Sequence, residues 1–147
     1  MAYFEYIEKY VIVISDEEEL KRVSMADSPP ETHLNSIGII KDLKRYFEGL
    51  TVDFTRYNVN LSGLSDFERT ILNETRAIPY GATTTYSELA EKVGRKKAAR
   101  AVGNALGKNP LPIVIPCHRV VGKHGIGGYS SGKDIKEKLL KLEGVLL

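Results

Sequence analysis

The sequence predicts an α/β (α+β) protein, with a small N-terminal α/β lobe over residues 1–60 packed on a mainly helical C-terminal domain over residues 61–147. Three observations predict it. A β-rich run, Tyr10–Ile14, is followed by a stretch of helical period. Two capping-box spacings then open closely spaced helices. The charge also divides: residues 1–60 hold 7 Lys/Arg against 11 Asp/Glu, net −4, and residues 61–147 hold 14 against 8, net +6. A basic half beside an acidic one points the C-terminal domain towards a polyanion.

Composition excludes several classes. A chain of 147 residues buries roughly 68–70% of its unfolded surface, so its core needs no cross-link. Cys117 is the only cysteine, which rules out a disulfide framework and a cysteine-rich zinc site. The histidines, His33, His118 and His124, are too scattered for a metal site, so neither metal nor cofactor is expected. The N-terminus is acidic where a signal peptide needs positive charge, and Tyr10–Ile14 is too short to cross a membrane. The expected location is intracellular: cytoplasmic, or nuclear in a eukaryote.

Each element has a local cause. Ala2–Glu8 alternates loosely and Tyr10–Ile14 is β-rich, which predicts a strand or hairpin. Ser28, Pro29 and Pro30 make a loop. Ile37, Ile40, Leu43, Lys44 and Phe47 then follow a helical period that ends at Gly49. Nothing in this lobe carries recognisable chemistry. In the second part Ser65 and Glu68 cap a helix that stops before Ile78-Pro79, because a residue preceding proline resists helical backbone. Thr85 and Glu88 repeat the spacing and open a short helix, Tyr86–Val93, closed by Gly94; a second spans roughly Lys96–Leu106. Two short helices across a tight glycine turn suggest a helix-turn-helix. On the second, Ala99, Val102 and Leu106 face the lobe, while Lys97, Arg100, Ala101, Asn104 and Lys108 face outwards. An apolar extended run, Ile113–Ile115, leads to Pro116-Cys117-His118-Arg119. A glycine-rich loop spans Gly122–Gly132, and a last helix, about Lys133–Glu143, buries Ile135, Leu139 and Leu142 before Gly144.

A free cysteine is by default a small buried hydrophobe. Cys117, however, sits between a rigid proline segment and a flexible glycine loop, with His118 and Arg119 directly after it. A reactive cysteine needs a base or nearby positive charge, because the thiolate is the nucleophile; His118 offers the first and Arg119 the second. On extended backbone neighbouring side chains diverge, so a water would relay the proton between Cys117 and His118. A carboxylate would fix the histidine tautomer, with Glu143, Glu137 and Asp134 as candidates.

The run Ile115-Pro116-Cys117-His118-Arg119-Val120 resembles the active-site signature of the O6-alkylguanine-DNA alkyltransferase family. Ile78-Pro79-Tyr80-Gly81 with Thr85-Tyr86, then Ala98–Gly103, Asn109-Pro110 and Gly128-Tyr129-Ser130 resemble the same family in order and spacing, across about residues 61–147. The resemblance implies a winged-helix-like DNA-binding domain that repairs DNA by a single, irreversible transfer of an alkyl group from O6-alkylguanine to Cys117. It implies that His118 is the base and Glu143 orients it, that Asn109 braces the turn, and that Tyr86 helps rotate the nucleotide and donates a proton to the guanine ring. Arg100 would fill the space of the extruded base. Carbonyls of Cys117 and Val120 would read the exocyclic amine, the Ser130 N–H would meet the guanine oxygen, and Tyr129 and Pro112 would wall the pocket. Lys97, Ala98, Ala101, Gly103 and Asn104 would lie with Arg100 against the minor groove of double-stranded DNA, without sequence specificity, and the protein would act as a monomer.

These roles suit the chemistry. A carbon on a guanine oxygen is buried in the duplex, so the base must leave the stack, at a cost of a few kcal/mol, before a thiolate reaches it. Where many members carry a glycine pair, this chain has Ser131-Gly132, a departure expected to narrow the pocket loop and to change the range of alkyl groups accepted. Three other readings stand beside this one: a non-catalytic alkyltransferase-like damage binder, in which the acceptor cysteine is replaced; a helix-turn-helix regulator, which would read a particular DNA sequence; and a cysteine hydrolase using Cys117, His118 and Glu143, which would turn over.

Overall fold

The structure is a computed structural model and describes residues 1–15, 19–29 and 37–147; Pro30 and His33 lie outside the described residues. The chain opens with a three-stranded antiparallel sheet of β1 (Ala2–Phe4), β2 (Lys9–Ser15) and β3 (Leu20–Ala26), in that order. Val11 and Val13 alternate inwards from β2, as period-2 patterning requires. The third strand escapes the sequence reading because LKRVSMA buries only Leu20 and Val23, three apart, and a bulge at Ile14/Ser15 offsets its register. The sheet packs on α1 (Ile37–Phe47), whose Ile39, Leu43 and Tyr46 are buried, with Phe4 stacked on Phe47 at 4.3 Å between ring centres.

The capping box at Ser65 and Glu68 is complete in both directions and starts α2 (Asp66–Arg76). Two-residue β4 (Thr84–Thr85) leads into α3 (Tyr86–Lys92), with the Thr85 side chain accepting from the Glu88 N–H. Gly94, at φ 78°, ends the helix through a bond from the Arg95 N–H to the Ala90 carbonyl. The next helix, α4 (Ala99–Leu106), starts three residues later than the sequence predicts, because Arg95–Ala98 forms a turn closed by the Ala98 N–H on the Arg95 carbonyl. Lys97 and Ala98 therefore belong to the turn of the helix-turn-helix.

Strand β5 (Val120–Val121) pairs in parallel with β4, Thr84 opposite Val120 and Thr85 opposite Val121. The final helix, α5 (Lys133–Leu142), buries Ile135, Lys136, Leu139 and Leu140, and Leu142 is only partly covered. One continuous apolar core runs from Phe4 to Leu139, and the N-terminal residues join the rest through bonds such as the Val23 N–H to the Pro110 carbonyl, 2.8 Å. Among the described residues no helix is long and apolar enough to cross a membrane.

Candidate active site

The segment before Cys117 is not extended. Ile113 takes a left-handed backbone, φ 73°, and Pro112 bridges to Ile115, so the run folds back on itself. Asn109 explains the fold-back: its amide donates to the Ile115 carbonyl (2.9 Å) and its carbonyl oxygen accepts from the Leu111 N–H (2.9 Å). A part-buried polar side chain that satisfies two backbone groups is what a strained turn needs. Cys117–Arg119 then form one 3-10 turn, so the thiol and the imidazole leave a tight coil and not a pleated strand.

Glu143 is the electrostatic centre of this region. It is the C-terminal cap of α5, where Gly144 at φ 83° ends the helix. Its Oε2 accepts from His118 Nε2 (2.5 Å), from the Tyr46 hydroxyl (2.6 Å) and from Arg119 Nη2 (3.1 Å). Its Oε1 accepts from Arg119 Nε (2.8 Å) and the Gly81 N–H (3.0 Å). Burial pushes the carboxyl pKa up, but the bonds from His118 and Arg119 and the positive charge beside them outweigh it and hold it down to about 2. A carboxylate accepts only, so the hydrogen of a neutral His118 sits on Nε2 and Nδ1 is left as a lone pair. Nδ1 is buried and meets no other polar side chain or backbone group among the described residues. Of the other candidate carboxylates, Asp134 is exposed and Glu137 pairs with Lys141 at 3.2 Å.

This arrangement fixes the response to acid. Burial lowers the His118 pKa below its ordinary 6.5 despite Glu143. Both folded-state values lie below their unfolded ones, so each group contributes stability that is present above the unfolded pKa and lost as the pH falls. Unfolding by urea should need progressively less denaturant below pH 6.5, with a further loss between 4.5 and about 2. A midpoint that stays level through the first of these windows would show that His118 is not buried as the neutral form.

Around the thiol the cation is Lys136. Arg119, the sequence's candidate, turns instead to Glu143 and to the Ile78 carbonyl (2.7 Å), because the buried carboxylate is the stronger partner for a guanidinium fork. Lys136 has no exposed surface, and its ammonium donates to the carbonyls of Val120 (2.7 Å) and Gly128 (3.0 Å) and to the Tyr86 hydroxyl (3.3 Å). Burial draws its pKa down to about 8, and the nearby Cys117 pulls the other way. Burial pushes the Cys117 thiol up, against a hydrogen bond from Asn109 and the charge of Lys136. The resting cysteine is therefore a thiol that needs a base.

A cavity of about 320 Å³ opens over Cys117, lined by Tyr86, Gly103, Leu106, Gly107, Gly128, Tyr129 and Ser130. The β4–β5 pairing puts Tyr86, first residue of α3, beside the turn that carries Cys117. Burial and the adjacent cysteine raise the Tyr86 pKa, so it stays a phenol and a donor. Pro112 does not line this cavity; the fold-back turns it to Ile115. On α4 Arg100, Ala101 and Asn104 are exposed, as is Lys97 before it, with Ala98 and Gly103 partly covered. Lys108 pairs with Glu68 at 2.7 Å and so is tied to α2.

Neither Lys136 nor Tyr46 stands out in the sequence as a site residue. The signal for Lys136 is a lysine inside the apolar stripe of Ile135, Leu139 and Leu140. Tyr46 offers no signal of its own, since a tyrosine on the buried face of a helix reads as core.

Residues 66–145 match the family model described as 6-O-methylguanine DNA methyltransferase, DNA binding domain. The methylated-DNA–protein-cysteine methyltransferase of Metallosphaera sedula is 37% identical over 140 residues, covering 93% of this chain and 88% of that protein. The enzyme of the same name from Methanosarcina acetivorans is 39% identical over 145 residues, with 91% of each chain covered. In three dimensions the chain is similar to Mycobacterium tuberculosis OGT in complex with DNA, at TM-score 0.79 and 35% identity, over 90% of this chain and 85% of that one. It is also similar to the Schizosaccharomyces pombe Atl1 bound to damaged DNA, at TM-score 0.50 and 34% identity over 56% of this chain. Related along nearly its whole length in both sequence and backbone, the chain belongs to the methylated-DNA–protein-cysteine methyltransferase family.

Proposed function

We propose that this protein repairs DNA by moving the alkyl group of O6-alkylguanine onto Cys117, once per molecule. The observation that carries the reading is a carboxylate fixed on His118 Nε2, which leaves the buried Nδ1 as a lone pair without a partner, one residue after a thiol that lines a cavity. The His118 Nδ1 lone pair takes the thiol proton through a water. The thiolate sulfur attacks the alkyl carbon in line, forming the C–S bond as the C–O bond breaks and its electron pair passes into the guanine. Tyr86 gives the ring a proton, which makes guanine the better leaving group, and Lys136 beside it steadies the charge left on the phenol oxygen. The thioether has no ready route to hydrolysis, so the reaction ends there.

Cys117 lies at the floor of a cavity, so the nucleotide must leave the stack. Exposed Arg100 would take its place, and Lys97, Ala98, Ala101, Gly103 and Asn104 would meet the minor groove. The Val120 carbonyl, which already accepts from Lys136, keeps a second lone pair for the exocyclic amine. The Ser130 N–H and Tyr129 complete the pocket. On this reading residues 61–147 bind DNA and carry the acceptor, and residues 1–60 support them.

The Atl1 likeness raises the second reading, a binder that marks damage without repairing it; an intact Cys117 with its base argues against that. The test is stoichiometry. Guanine restored in duplex O6-methylguanine DNA should rise to one equivalent per protein and stop. Continued turnover points to another mechanism, and tight binding without restoration points to the damage binder.

A further inference from the structure

The Glu143–His118 pair is completed from the far end of the chain. Tyr46, on α1, sends its hydroxyl 2.6 Å to Glu143 Oε2, the oxygen that accepts from His118, and the same hydroxyl lies 3.4 Å from His118 Nε2. We propose that Tyr46 is a positioning residue for alkyl transfer, its hydroxyl holding the carboxylate in the orientation that keeps the His118 hydrogen on Nε2 and the Nδ1 lone pair free to act as base. This rests on the alkyl-transfer reading above.

Glu143 Oε1 is fixed by Arg119 Nε and the Gly81 N–H. Oε2, which governs His118, has Arg119 only at the longer 3.1 Å, so the short bond from Tyr46 is its second firm restraint. Packing does not require that hydroxyl. Tyr46 is fully buried among aromatic rings, edge-on to Phe47 (5.2 Å), Phe54 (6.0 Å) and Tyr80 (6.1 Å). A phenylalanine would fill the same nest without burying a polar atom, and a buried hydroxyl is tolerated only where it is bonded. Burial, then the Glu143 charge, raise the Tyr46 pKa well above its ordinary value, so the group stays a donor wherever the reaction runs. The charged and titratable groups around the pair are otherwise Arg119 and Cys117 from the 3-10 turn, Lys136 from α5, and Tyr80 and Tyr129 at the edge.

Without the hydroxyl, Glu143 directs more of its charge at His118, which then stays protonated to higher pH, and the imidazole is less firmly aimed. The test is single-turnover methyl transfer by the full chain, at saturating O6-methylguanine duplex, across the neutral pH range. In Tyr46→Phe the rate should fall about ten-fold, the scale of losing one hydrogen bond to a charged group. DNA affinity should hold, and the acid limb of the rate profile should move to higher pH. Tyr46→Leu, less stable but equally without the hydroxyl, should show the same displaced limb. Phe54→Leu, which disturbs the same aromatic nest, should lower the melting temperature and leave the limb in place. A Tyr46→Phe protein with the wild-type rate and limb overturns the proposal, as does slowing that Phe54→Leu reproduces without moving the limb. Wild-type protein that transfers no methyl group overturns the repair reading itself, and this proposal with it.

Discussion

Glu143→Gln should slow alkyl transfer at least ~100-fold, the scale set by a general base that loses its orienter, and destabilise the fold by about 3–5 kcal/mol. Five donors converge on this carboxylate from four places in the chain: α1, the turn at Gly81, His118 and Arg119. A glutamine keeps the shape but turns one acceptor oxygen into a donating nitrogen, which must then face a donor whichever way the amide lies. Arg119 is left buried without its counter-charge, and a single buried partner left unpaired is the costly case. The His118 tautomer loses its determinant as well, so Nε2 rather than Nδ1 can become the bare nitrogen. Urea unfolding reads the first effect and single-turnover transfer the second. A Gln variant within two-fold of wild type in rate would mean that His118 is not oriented through Glu143.

Gly127→Ala should reduce transfer about 100-fold, again the range of a lost proton donor, while binding of undamaged duplex stays near wild type. Gly127 has φ 76°, and a Cβ there would overlap the Tyr86 ring, 2.8 Å from Cε2 and closer still to the hydroxyl. Left-handed backbone alone costs a non-glycine residue roughly 1–2 kcal/mol. The overlap adds a functional loss, because Tyr86 must swing out of the cavity or the loop must lift from Lys136. Gly132→Ala is the control: φ is 109°, but nothing lies within 4 Å of its Cβ position, so it should lose stability and keep its rate. Equal rates for the two variants would remove Tyr86 from the reaction.

Local chemistry made much of the C-terminal fold legible. Ser65/Glu68 and Thr85/Glu88 announce their helices because the caps are satisfied within four residues, and Gly94 and Gly144 close theirs for the same reason. What the sequence hides is set by contacts across the chain. The fold-back at Ile113 depends on Asn109 capturing the Ile115 carbonyl, so an apolar run that reads as a strand becomes a turn. Arg119 lies next to the histidine in sequence, where it reads as a partner for the thiol, yet it answers to a carboxylate 24 residues away. Tyr46 meets Glu143 across 97 residues, a distance no periodicity encodes. Cys117 and His118 were legible in their own setting, with Glu143 among three candidate carboxylates, and the tyrosine of α3 through family resemblance; the cation that replaces Arg119 and the hydroxyl that steadies Glu143 were not.

Intact mass measured after mixing the protein with excess duplex DNA carrying one O6-methylguanine shows whether Cys117 takes the alkyl group. Alkyl transfer to Cys117 predicts a gain of one methyl group and no more, mapped by peptide analysis to Cys117 and absent from Cys117→Ala. An unchanged mass in protein that still binds the damaged duplex tightly would contradict it and make the chain a reader of damage, not a repairer.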